Sequence, residues 1–126
     1  LMYGGAAVTI STTERVGLPL LLGEVVATAG LVGVILTLVL RDQVGWVPAA
    51  VGLYILSAYV VTSSTSFANP GITLGRVLSD SFAGIAPGSA PAFIAAQLVG
   101  AALGLLAVRL IIVPREPNPP TASSAR

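Results

Sequence analysis

The chain has 126 residues, 55% hydrophobic and 9% charged, with mean hydropathy +0.94 and a formal net charge of +1. A soluble domain carries about 25% charged residues, so most of this surface is built for lipid, and no basic patch exists to neutralise nucleic-acid phosphates. Cysteine and histidine are both absent, which removes disulfides, thiolate and imidazole metal sites and the commonest nucleophiles and general bases; neither metal, cofactor nor enzymatic activity is expected.

Leu1 comes first, with no basic stretch ahead of an apolar one, so no signal peptide is read; the chain reads as entered mid-sequence or as a truncated frame. Residues 1–16 mix Gly4-Gly5, a Ser/Thr cluster at 11–13 and the pair Glu14-Arg15, and read as a loop or helix remnant. Residues 17–40 are apolar apart from Glu24. As a helix they cover about 36 Å, more than the roughly 30 Å hydrocarbon core. Arg41-Asp42-Gln43 closes this first span with a polar hairpin. A second span is predicted over about 44–62, with Trp46 suited to the aromatic belt at the interface.

The segment Thr62-Ser63-Ser64-Thr65-Ser66-Phe67-Ala68-Asn69-Pro70-Gly71 is polar and leads into a helix predicted over about 70–82, too short to cross a bilayer. Irregular backbone at membrane depth is tolerated only where protein covers it or a watery cavity receives it. A short helix behind such a lead-in therefore reads as re-entrant, the device that presents a positive helix end inside a membrane. Asn69 is a preferred N-cap and Pro70 suits the first helical position. The orphan N–H groups there and the macrodipole disfavour cations and offer donors to a neutral solute. The plainer alternative is an ordinary capped helix after a loop. A last span is predicted over about 91–113, and the Pro/Ser-rich residues 114–126 read as a disordered tail. Arg41, Arg109, Arg115 and Arg126 fall on one side and Arg15 and Arg76 on the other, which places the first side, and the tail, in the cytoplasm.

The run from Ser63 to Arg76 resembles the second pore loop of the aquaporin, or major intrinsic protein, family. Gly23-Glu24-Val25-Val26-Ala27-Thr28 is similar to the start of that family's fourth span, and residues 91–100 to its sixth. The resemblance covers about 17–110. It implies an all-α membrane protein: an aquaporin-like half, residues 17–113, with three transmembrane helices plus one re-entrant half-helix. It further implies a multi-pass protein of the cell (inner) membrane and a passive channel for water and small neutral solutes such as glycerol or undissociated metalloid acids. The partner asparagine of the family's first loop is missing here. The expected partners are thus the bilayer, the missing first half or another copy, and a homotetramer as in the family. The alternatives are a truncated, non-conducting remnant and a membrane partner of an intact channel.

By the same resemblance Asn69, Pro70 and Gly71 form the pore motif. The family's usual arginine after that motif is replaced by Ile72, which implies a filter less strict for water. Tyr59 and Ser66 align roughly with other filter positions. Arg76, four residues after Ile72, lies on the same helical face and either lines the outer vestibule or snorkels and pairs with Asp80. Glu24, an acid inside a span, is costly unless partnered; the resemblance implies that it accepts hydrogen bonds from the pore-loop backbone, with Thr28 sharing the network. Gln97 is expected to bond a buried polar group, and Gly100 and Gly104 to allow close helix approach. The Ser/Thr run before Asn69 either wets the pore wall or bonds its own loop.

Overall fold

The computed structural model describes residues 8–111; residues 1–7 of the expected loop or helix remnant, residues 112–113 of the last predicted span and the expected disordered tail at 114–126 lie outside them. The regular structure of the described residues is helical: α1 (Leu18–Leu40), α2 (Val47–Val61), entered through a 3-10 turn at Val44–Trp46, α3 (Pro70–Val77) and α4 (Ala90–Ile111). Three of these segments, Leu18–Leu40, Val44–Val61 and Ala90–Ile111, are long and apolar enough to cross a membrane. The 8 residues of α3 reach only about 12 Å.

Local chemistry sets most of the helix ends. Gly17 takes φ 127 just before α1, a region closed to other residues at ordinary cost, and Pro19 sits in the first turn, where no N–H is needed. Past Leu40 the chain reverses through Asp42 at φ 56, while Gln43 N donates to Leu38 O at 2.8 Å, satisfying an end carbonyl. The half-helix stops at Val77, short of the expected 82. Its last carbonyls are taken from elsewhere in the chain: Ser11 N donates to Val77 O at 2.9 Å, Thr9 N to Leu78 O at 3.2 Å and Ile85 N to Arg76 O at 3.3 Å. These bonds satisfy carbonyls that the end of the helix leaves open.

The packing follows from small residues. A β-carbon on Gly100 would meet the Val25 carbonyl, and one on Gly104 the Ala29 carbonyl, so the backbones of α1 and α4 touch. Contacts 25/100 and 29/104 advance together, which makes these two helices parallel. α2 returns antiparallel on another side of α1, where the Tyr54 hydroxyl lies over Gly30 and donates to Ala27 O at 2.9 Å. α2 and α4 do not touch. α3 packs on α4; it starts where Thr73 meets Gln97 and finishes with Val77 against the cluster of Phe67, Ile85, Ala90 and Phe93, beside Leu20 and Leu21. It therefore runs from inside the bundle back to the end at which α1 and α4 begin. That geometry is re-entrant. It groups Arg15 with Arg76 at one end and Arg41 with Arg109 at the other.

Candidate functional site

Glu24 is fully buried on α1, about 9 Å along the helix from Leu18 at 1.5 Å per residue. Its Oε1 accepts from Phe67 N at 3.0 Å, and its Oε2 from Ala68 N at 2.9 Å and Gln97 Nε2 at 2.7 Å. Three donors on two acceptor oxygens is a set a carboxylate satisfies well. Gln97 is also fully buried; besides Glu24 it bonds the Thr73 hydroxyl, Nε2 to Oγ1 at 2.8 Å. Thr73 Oγ1 in turn reaches Asn69 O at 3.1 Å. One polar chain thus links α1, the loop, α3 and α4.

The loop it holds is strained. Thr65, Ser66 and Ala68 have φ of 61°, 45° and 49°, left-handed conformations costing on the order of 1 kcal/mol or more for each non-glycine residue. Such backbone persists only when its surroundings over-determine it. Glu24 does so at residues 67 and 68. Within the loop, Ser64 Oγ accepts from Ser66 N at 3.2 Å and Ser66 Oγ bonds Thr62 Oγ1. These hydroxyls are turned into the loop's own backbone and side chains, while Thr65 Oγ1 is buried with no partner among the described residues.

At the end of the loop Asn69 caps α3. Its Oδ1 accepts from Gly71 N at 2.7 Å and Ile72 N at 3.4 Å, which turns the amide NH2 away from the helix. The residue is exposed, and its NH2 donates to nothing among the described residues. Gly71 fits because a β-carbon there would sit 3.1 Å from Asn69 Oδ1. Asn69→Ala should weaken α3 by about 1 kcal/mol, seen as faster amide exchange at residues 71–73. Asn69→Asp should keep the cap, so equal acceleration in both variants would show that the side-chain bonds do not hold this end.

The other expected site residues fall into two groups. Ser66 is buried in the loop, whereas Tyr59 on α2 is 43% exposed and Ile72 on α3 is 46% exposed; no hydrogen bond joins Tyr59, Ile72 and Arg76 among the described residues. Arg76 is half-buried. Asp80 accepts instead from Thr12, N to Oδ1 at 3.0 Å and Oγ1 to Oδ1 at 3.2 Å. Thr28 lies outside the polar network: its hydroxyl is buried without a partner among the described residues, and it packs where Gly100 approaches α1. Thr73 occupies the place in the network expected of Thr28.

Arg15 was not legible as a site residue. It is only 8% exposed, and its guanidinium donates to Gly84 O at 2.8 Å, Phe82 O at 3.0 Å and Ser64 O at 3.3 Å. It also lies 5.1 Å from the centre of the Phe67 ring, within cation–π range. Burial lowers its pKa, and the Glu24 carboxylate opposes that shift. The nearest sequence signal was its position two residues before a glycine that turns the chain into α1.

Over 119 residues the chain is 41% identical to Aquaglyceroporin AqpS of Rhizobium meliloti; the match covers 93% of this chain and 50% of that protein. Over nearly all of its length the chain is therefore similar to half of an aquaglyceroporin. It spans about half the length of the relative it matches. No family model matches it, and no solved structure does. Three membrane-length helices and no strand among the described residues are consistent with that similarity.

Proposed function

We propose that residues 17–113 are the second repeat of a passive channel for water and small neutral solutes such as glycerol or undissociated metalloid acids. The pore is completed by a complementary half or a second copy, in the cell (inner) membrane, with assembly as a homotetramer. One observation carries this reading: Asn69 caps a re-entrant half-helix whose start is fixed inside the bundle through Glu24, with its amide NH2 left facing outward. The relative's name, aquaglyceroporin, supports the same solute class. Asn69 would donate to a passing hydroxyl, and the positive end of α3 would disfavour cations. Nothing in the arrangement calls for bond chemistry, which favours transport over catalysis.

Asn69, Pro70 and Gly71 form the pore motif in this proposal, and Tyr59, Ser66, Ile72 and Arg76 surround the filter. Ile72 offers neither charge nor donor, so the filter admits solutes larger than water. The end bearing Arg41 and Arg109 faces the cytoplasm, following the positive-inside bias.

The test is stopped-flow swelling of vesicles holding the chain alone, and of vesicles in which it is co-expressed with the first half of the Rhizobium meliloti relative. Glycerol flux above the lipid background in the completed channel is expected. Ile72→Arg should reduce glycerol flux several-fold relative to water, because the new guanidinium narrows and charges the passage. No flux in either preparation would favour the remnant or membrane-partner reading, and an unchanged glycerol-to-water ratio in Ile72→Arg would remove that residue from the filter.

A further inference from the structure

The strained loop is held from two directions, and only one of them is an intramembrane carboxylate. Glu24 takes the N–H groups of Phe67 and Ala68 from the α1 side. At the opposite, outer end of the loop the Ser64 carbonyl is taken by Arg15. The same guanidinium reaches the carbonyls of Phe82 and Gly84, in the connection between α3 and α4. Arg15 N donates to Ser89 Oγ at 3.1 Å, one residue before α4. Its central carbon lies over the Phe67 ring, and Phe67 also packs on Phe93, with ring centroids 5.7 Å apart. A planar fork with five fixed donors can bind several carbonyls in this way; a single ammonium on a flexible stem cannot hold the same geometry.

The segment around Arg15 is itself fastened. Ser11 N donates to Val77 O, Ala86 N to Thr13 O at 2.7 Å and Asp80 N to Thr9 Oγ1 at 3.0 Å. Residues 9–15 therefore lie along the end of α3 and the connection after it. Ser11 fills the space beside Gly84, where a β-carbon would collide with its hydroxyl.

From this geometry we infer that Arg15 is a positioning residue of the proposed transport site: the outer clamp that, opposite Glu24, keeps the Ser64–Ala68 turn in the shape that aims Asn69. The inference rests on the transport reading for its consequence but not for its geometry.

The experiment compares wild type, Arg15→Met and Arg15→Lys as full chains in lipid nanodiscs by hydrogen exchange, and in completed channels by glycerol and water flux. Arg15→Met should exchange peptides covering 62–69 and 82–86 at least ten-fold faster than wild type, while the contact region of α1 and α4 at 25–29 and 100–104 is unchanged. Arg15→Lys should fall between the two, and the glycerol-to-water ratio should shift in the same order. A purely global role would accelerate all segments together. Wild-type exchange at 62–69 in Arg15→Met overturns the clamp; if that variant does not fold, wild-type exchange there in Arg15→Lys overturns the three-carbonyl geometry. A wild type that moves no glycerol takes down the transport reading and any role of Arg15 in selectivity, and the exchange data then decide the clamp by themselves.

Discussion

Glu24→Leu is expected to release the loop before α3 and bring solute flux in a completed channel down to the lipid background. The leucine fills similar space but accepts nothing, so Phe67 N and Ala68 N lose their acceptor at once and Gln97 Nε2 keeps only the Thr73 hydroxyl. A buried donor left unpaired costs about 1–3 kcal/mol; partly offset by the carboxylate no longer needing to be desolvated, the net loss is roughly 3 kcal/mol. The three left-handed residues at 65, 66 and 68 then have less to hold them than their strain requires, and Asn69 is no longer aimed. Glu24→Gln should be milder, because its single carbonyl oxygen still accepts while its NH2 faces another donor. Faster amide exchange at 66–69 together with lost flux is the expected pair of readings. Wild-type flux in Glu24→Leu would mean that the loop keeps its shape without this carboxylate.

The second large effect concerns the seam between α1 and α4. Gly100→Ala and Gly104→Ala replace glycine by the best helix former, which by propensity alone would stabilise each site by about 1 kcal/mol. Packing reverses the sign. The added methyl collides with a backbone carbonyl of α1, that of Val25 or Ala29, and backbone cannot swing aside as a flexible side chain can. Overpacking of this kind costs about 1–3 kcal/mol per site, and the double variant should separate the two helices and lower stability by several kcal/mol. Gly33→Ala is the control: a β-carbon there has no neighbour within 4 Å, so propensity should win and the variant should be neutral or slightly more stable. Unfolding in mixed micelles separates these cases. Equal behaviour of Gly33→Ala and Gly104→Ala would show that the seam is not tight.

These two predictions draw on different levels of legibility. Gly100 and Gly104 are spaced one helical turn apart, and that spacing is visible in the sequence as a contact stripe; their partners Val25 and Ala29 are not. Asn69-Pro70 likewise carries its own local instruction, a cap followed by a residue that needs no donor. Arg76 and Asp80 stand at a pairing distance of four residues on paper, but the helix ends at Val77, so the spacing loses its meaning and Asp80 turns to Thr12. Thr28 is one turn from Glu24 in sequence and still faces Gly100 rather than the carboxylate's donors. Thr73 joins the network because α3 is laid against α4, a placement no helical period contains.

What the sequence determined by itself was the solvent and the local punctuation: three apolar runs long enough for a bilayer, one polar lead-in, and a capped short helix behind it. Hydropathy and capping act within a few residues, so they can be read along a line. The tertiary structure decided who answers whom. Glu24 finds its donors 43, 44 and 73 residues away, and Arg15 finds its carbonyls 49, 67 and 69 residues away. A buried charge must be satisfied by whatever irregular backbone is folded over it, and only the folded chain brings that backbone there.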